Sequence, residues 1–357
     1  MDLVNNKIVY IKECLKRNLG YPCSTGFDYS EIAHICAVNI NNVGCPYSSS
    51  TYKANTKDIE IDVLNYFADL WSFDKDNIWG YISNGGTEGN LQGLYIGRES
   101  LENPIFYTSE DSHYSIFKIA KILKLELCIV KTHSNGEIYY DDFENKIINN
   151  KDRNILINVN LGTTMKGAID NPGEIYRIIK KNNMENKYYM HADGALMGFV
   201  LPFLEKDICF KKHIHSISIS GHKWLGIPFP CGIFLMEKRF LRLVQNNIEY
   251  IGSNDCMISG SRNGHSAIFL KHIITTKTHE DFSNDINRCI ELAEYLISKI
   301  DGAWRNNNSI TVVFPKTSQL LIDNWQLATS DDISHVVIMQ HVTKEKLDNF
   351  IKDYNEQ

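Results

Sequence analysis

Residues 216–234 read SISISGHKWLGIPFPCGIF, and the alternation of serine and isoleucine through Ser220 has the two-residue period of a strand that stops at Gly221. His222 and Lys223 therefore fall at a strand end. In apolar surroundings a lysine ammonium is destabilised by desolvation, and the free amine can condense with an aldehyde. Alone, Lys223 would be one more surface lysine. Upstream, however, residues 188–198 read YYMHADGALMG, a short apolar strand ending at Asp193 and followed by the small Gly194 and Ala195. A lone aspartate there would be a cap or turn residue. Paired with Lys223, it can hold a carboxylate against a heteroaromatic nitrogen, while Gly194 and Ala195 let a flat ring lie close. A pyridinium nitrogen and an aldehyde in one small molecule are the two handles of pyridoxal 5'-phosphate.

Such a cofactor also needs a seat for its phosphate. Residues 83–90, SNGGTEGN, follow a short strand at 79–82 and lead into a helical pattern. A glycine-rich turn at a helix start offers free N–H groups and the positive end of the helix dipole, so Gly86 and Thr87 are the phosphate candidates. His113, in SEDSHYS at 109–115, opens the next helix. Thr163 and Thr164 end the apolar run at 155–159 and would by themselves only close a turn.

Taken together, SGHKWLG, HADGA, SNGGTEGN and SEDSHYS resemble the group II pyridoxal-phosphate amino-acid decarboxylases, of fold type I. The nearest likeness is to the branch holding bacterial histidine decarboxylases and plant serine decarboxylases, and it runs from Gly20 to Phe350. The resemblance implies that His113 stacks on the cofactor ring and that Thr164 lies near its phenolic oxygen. It also implies that Ser220, His222 and Thr87 fix the phosphate, and that Asp193 and Lys223 hold the ring nitrogen and the aldehyde, with Ala195 beneath the ring. Tyr250 matches a mobile-loop tyrosine that in animal relatives reaches a neighbouring subunit's active site and protonates the product carbon. Residues 41–52, with Asn41, Cys45, Tyr47 and Tyr52, match a segment that contributes to the substrate pocket near a dimer interface. Cys45 departs from both branch patterns, which usually carry an aspartate there. Read from its residues alone, Tyr250 would be a half-buried strand tyrosine.

The elements that must position these residues alternate along the chain. Apolar runs at 105–107, 127–130, 155–159, 188–193 and 216–220 are separated by helical patterns such as 59–71 and 172–181, which predicts an α/β fold with a mostly parallel sheet between helices. In such sheets ligands gather at the carboxyl ends of the strands, where all these motifs lie. The expected organisation is an N-terminal helix and pocket segment (1–55), a large cofactor-binding domain (56–264) and a small C-terminal α+β domain (265–357), the fold type I pattern. The helix at the N-terminus has Leu3, Ile8, Ile11 and Leu15 on one face. Residues 259–265, SGSRNGH, form a further turn of anion-binding character, read as an interface or phosphate contact.

The chain has 357 residues, a net charge of −6, 43% hydrophobic and 22% charged residues, ordinary for a soluble globular protein. Lysines and arginines are scattered, so nucleic acid has no electrostatic footprint, and no apolar run is long enough to span a bilayer. The first residues lack a secretory leader pattern. Nine cysteines, an odd number without CxxC pairs or metal-ligand spacing, fit a reduced cytoplasmic setting with no metal site. The resemblance implies a homodimer with a shared active site and a carboxy-lyase reaction that releases carbon dioxide from an amino acid. L-serine giving ethanolamine is favoured and L-histidine giving histamine is the alternative. A transaminase or aldolase on this fold, or a silent homologue kept for binding, would lack part of the set Thr87, His113, Asp193, His222 and Lys223.

Overall fold

Short apolar runs bounded by turn residues build the central sheet of this computed structural model, which describes residues 2–204 and 213–356. The strands are β1 (Ile78–Ser83), β2 (Pro104–Ser109), β3 (Glu126–Val130), β4 (Asn154–Asn160), β5 (Tyr188–Asp193), β6 (Ser216–Ser220) and β7 (Gly232–Glu237). Their spatial order is β1-β7-β6-β5-β4-β2-β3. β2 to β6 run parallel, whereas β7 is antiparallel to both β1 and β6.

The side-chain period of two divides each strand between two packed layers. On one face Ile78, Ile82, Ile105, Tyr107, Ile155, Ile157, Met190, Ile217 and Ile233 join one apolar cluster. Helix α2 (Lys57–Leu70) contributes Val63, Leu64 and Phe67 to it, following the predicted helical period. On the opposite face Trp79, Tyr81, Phe106, Leu156, Tyr189 and Phe234 form a second cluster with Leu94 and Ile96 of helix α3 (Gly86–Ser100). The Ser-Ile alternation of β6 suggests one wet face, yet all five residues are buried. Ser218 and Ser220 point under α3, as do His191 of β5 and Asp193 at its end.

Glycine spacing explains how α3 comes so close. A Cβ on Gly86 would stand 2.5 Å from Ser220 Oγ, on Gly89 2.3 Å from Ser218 Oγ, and on Gly93 2.3 Å from His191 Nδ1. At intervals of three and four residues these positions form one bare stripe along the helix. The stripe lowers the helix onto a polar strip of the sheet, so its N-terminus ends beside the carboxyl ends of β5 and β6.

Three smaller parts complete the frame. Strands β8 (Asn246–Ile248) and β9 (Ser253–Asp255) make a hairpin, and β10 (Thr311–Pro315), β11 (Ala328–Ser330) and β12 (Ile333–Val337) an antiparallel sheet ordered β10-β12-β11. The segment after the first helix straps this sheet to the large one. Leu19 N–H donates to Trp325 O (3.1 Å), Val337 N–H to Leu19 O (2.8 Å) and Ser24 N–H to Lys223 O (3.3 Å). The expected N-terminal helix is present as α1 (Asp2–Lys16), but none of its residues is buried within one chain; Leu3, Ile8 and Ile11 are exposed. No helix among the described residues is long and apolar enough to cross a membrane.

Candidate active site

The carboxyl ends of β1, β2, β4, β5 and β6 open onto one cavity of about 270 Å³. Its wall brings together Gly86, Thr87, His113, Thr164, Asp193, Ala195, Ser220, His222 and Lys223, every cofactor contact expected from the sequence. Residues far apart in the chain meet there because each follows a strand that ends on the same edge of the sheet.

At one side, α3 presents an open N-terminus. Gly85 occupies its cap with φ 145° and ψ 169°, backbone torsions suited to glycine, and no side chain caps the helix. Ser83 Oγ–H donates to Gly85 O (3.0 Å) and Ser218 Oγ–H to Gly86 O (3.2 Å), so both serines grip carbonyls and leave the first-turn N–H groups to the cavity. An anion is stabilised at such an end.

Across from it, Asp193 Oδ1 accepts from Ala195 N–H (3.1 Å) and Oδ2 from the Asn90 amide (2.9 Å), which fixes the carboxylate at the end of β5. Lys223 faces the same space. Burial is the largest influence on its ammonium and lowers the pKa, with Asp193 and then Cys23 pulling the other way. Its loop is held from outside by Ser24 N–H, by Tyr29 Oη–H to Leu225 O (2.6 Å) and by Gln340 Nε2–H to Trp224 O (2.5 Å).

His113 is the N-cap of helix α4 (Tyr114–Ile122), where its Nδ1 accepts from Ser115 N–H (3.3 Å). Burial first, then Lys223 and Lys118, lower its pKa, while Asp193 raises it. The ring is thus neutral with its proton on Nε2. Thr163 Oγ1 accepts from Ala168 N–H (3.0 Å) inside the turn, which leaves the exposed Thr164 as the free hydroxyl of the pair. His222 Nδ1 lies 3.0 Å from Cys231 O, and burial lowers its pKa.

The four expected substrate-pocket residues lie elsewhere within one chain. Cys45, 5% exposed, is folded beneath Trp79, whose indole N–H points at its sulfur (3.4 Å), and it shares a separate pocket with Tyr47. Asn41 bonds to Ser261 Oγ (3.1 Å), and Tyr52 lies on an exposed loop. Tyr250 occupies a 3-10 turn between β8 and β9 and is 85% exposed, so the reading of a half-buried strand residue is corrected. No residue of the turn at 259–265 lines this cavity within one chain. Arg262 is directed inward, paired with the buried Glu60 carboxylate and donating to Gly44 O (3.0 Å).

Some lining residues were not singled out as site residues from the sequence. Gly20, Tyr21, Pro22, Ala328, His335 and Val337 close the cavity from the N-terminal strap and the small sheet. His335 joins the two, with Nδ1 3.0 Å from Met165 O and Nε2 2.9 Å from Gly20 O. A histidine inside the apolar run SHVVIM was the available signal.

The family model described as the pyridoxal-dependent decarboxylase conserved domain matches residues 96–314. The chain belongs to this family. Serine decarboxylase 1 of Oryza sativa subsp. japonica is 40% identical, over 97% of this chain and 73% of the relative. A histidine decarboxylase of Solanum lycopersicum is 42% identical, over 96% and 85%. In fold, the chain superposes on the crystal structure of L-methionine decarboxylase from Streptomyces sp. 590 with a TM-score of 0.91, at 24% identity and covering 99% and 94% of the two chains. The donor set fits the family's cofactor: an uncapped helix N-terminus for a phosphate, a fixed carboxylate for a ring nitrogen, and a lysine whose ammonium is weakened by burial. As a pyridoxal-dependent decarboxylase the protein is a carboxy-lyase, and the expected fold type I architecture is the one observed.

Proposed function

We propose that this decarboxylase acts on L-serine, releasing carbon dioxide and leaving ethanolamine, as a cytoplasmic homodimer. The cavity volume carries the substrate reading. About 270 Å³ lies just below the usual range for a ligand pocket and must take the cofactor too, so a hydroxymethyl side chain is accommodated more readily than an imidazolylmethyl one. A second reading, L-histidine to histamine, rests on the equally extensive similarity to the tomato histidine decarboxylase.

When bound, pyridoxal phosphate supplies an aldehyde for the amino group and a protonated ring that accepts the electron pair left as carbon dioxide departs. In this reading the first-turn amides at Gly86 and Thr87, with Ser220 and His222, hold the phosphate. Asp193 would hold the ring nitrogen, and the Lys223 amine would hold the aldehyde. His113 would lie against the ring and, with Thr164, would orient the substrate's carboxylate. The hydroxyl of Tyr250 of the partner subunit would supply the proton that the product carbon takes up. An 85% exposed tyrosine outside its own cavity suits delivery across an interface, and the uncovered apolar side of α1 suits the same contact. The exposed Tyr47 and Tyr52, with Asn41, would border the partner's site in the same way, and the buried Cys45 would support that segment from beneath. All described cysteines are free, in keeping with a reducing compartment.

The deciding experiment offers each common L-amino acid to the reconstituted enzyme and measures carbon dioxide together with the amine formed. Ethanolamine from serine, abolished in Lys223→Ala, is the expected result. Histamine from histidine with serine inert would transfer the assignment to the second reading, and no amine from either would reject both.

A further inference from the structure

Beyond the residues that border the cavity, a line of buried polar side chains runs from Asp193 away from the site, beneath α3. Asn90 Nδ2 stands 2.9 Å from Asp193 Oδ2, Asn90 Oδ1 3.0 Å from His191 Nε2, and His191 Nδ1 2.8 Å from Ser216 Oγ. Asn90, His191 and Ser216 are 2%, 0% and 0% exposed.

The chemistry of the groups fixes the direction of every bond. A carboxylate only accepts, so the amide nitrogen of Asn90 must face Asp193 and its oxygen must face the histidine. His191 then has to donate from Nε2. Burial depresses the His191 pKa to about 3, so at neutral pH the ring carries one proton, and Nε2 has it. Nδ1 is left as an acceptor, which Ser216 Oγ–H satisfies. The ring also has little freedom to leave this pose, because Gly93 of α3 lies directly over Nδ1.

We propose that Ser216, His191 and Asn90 form a hydrogen-bond relay that locks the Asn90 amide with its N–H group toward Asp193, and so holds that carboxylate aimed at the cofactor's ring nitrogen. These are positioning residues, and the inference rests on the reading that Asp193 partners that nitrogen. Without the His191 proton, the Asn90 amide can turn over and set its oxygen against the carboxylate, a repulsion between two acceptors in a buried site. The effect would be felt through the ring nitrogen alone.

That restriction supplies the test. The full-length apoprotein is titrated with pyridoxal phosphate and with the analogue whose ring nitrogen is replaced by carbon, and the dissociation constants are read from absorbance. His191→Leu should weaken pyridoxal phosphate binding about tenfold, the low end for loss of an outer hydrogen-bond partner at a ligand-holding group, and leave the carbon analogue unchanged. His191→Gln, whose side-chain amide can donate from the same place, should recover most of the loss. Ser216→Ala, a smaller change, should show the same selectivity to a lesser degree and covers the case in which His191→Leu fails to fold. Asp193→Ala is the reference and should also discriminate between the two ligands. If His191→Leu and Ser216→Ala weaken both ligands alike, or neither, while Asp193→Ala discriminates, the relay is overturned and the Asp193 reading stands. If Asp193→Ala does not discriminate, the Asp193 reading falls and the relay with it.

Discussion

The lysine at the centre of the site works through its surroundings, because desolvation moves its pKa down and a base with a depressed pKa keeps its free amine to lower pH. Capture of an aldehyde by the apoprotein should therefore stay fast at pH values where a free lysine side chain has already slowed; stopped-flow rates against pH, beside an N-acetyl-lysine reference, would show the onset displaced downward. An onset matching the reference would remove desolvation as the cause. Tyr250 makes a different demand. Tyr250→Phe should lower kcat by 10²-fold or more, the scale of a lost general acid, with KM and cofactor affinity little changed. Lys223, Asp193, His113 and Thr87 were legible in the sequence because strand-end residues of the right types recur in fixed contexts. His335 and Gln340 were not, since their contribution depends on a strap and a small sheet folding back over the large one, a contact between distant segments that no local pattern encodes.

At the scale of elements, α3 decides how near the phosphate cradle can come to Asp193 and Lys223. Gly93→Ala would gain up to about 1 kcal/mol of helix propensity and force a methyl group to 2.3 Å from the His191 ring. Overpacking of that kind costs about 1–3 kcal/mol, so a net lower urea midpoint is expected. An unchanged or higher midpoint would mean that the helix can lift from the sheet. The glycine repeat was present in SNGGTEGNLQGLYIG, but of its glycines only Gly86 carried an assigned role, as a phosphate contact; the others gain meaning from the strip of side chains beneath them. The alternation in β6, read rightly as a strand, likewise gains meaning from what lies over it. Serine at every second position reads as a solvated face, whereas here it is a buried face that bonds to a helix. Most strands and helices were legible to within a few residues, and the β8–β9 hairpin was missed because its three-residue strands carry no apolar period.

For the whole molecule, buried titratable groups set the response to acid. Burial depresses His191 and His215 to about 3, so their contribution to stability is complete above the unfolded value near 6.5 and is lost as pH falls toward 3. Asp170 acts oppositely: burial raises it to about 7, and its contribution is present at low pH and lost as pH rises through 7. Between pH 7 and pH 5 the two histidines cost about 2 kcal/mol each and Asp170 returns about 2 kcal/mol, so these three groups together lose on the order of 1–2 kcal/mol. His341, depressed to about 4, adds in the histidine direction. Urea unfolding at the two pH values would measure the loss, and equal midpoints would contradict it. Subunit sharing has its own signature. If Tyr250 serves the opposite site, mixing inactive Lys223→Ala and Tyr250→Phe chains and letting dimers exchange should restore about a quarter of the sites; a mixture that stays inactive would place the tyrosine's action within its own chain.

The position of β1 has a consequence for how the protein is made. Among the described residues β1 pairs with no strand except β7, which leaves the ribosome long after Asp193 and only just after Lys223. At ordinary synthesis rates β1 waits on the order of ten seconds or more for its partner. Until Gly232–Glu237 arrives, the strand that leads into Gly85 and Gly86 has no ladder to hold it. A nascent chain halted before Gly232 would carry the lysine and the aspartate without a firm seat for the phosphate, so cofactor loading has to wait for β7.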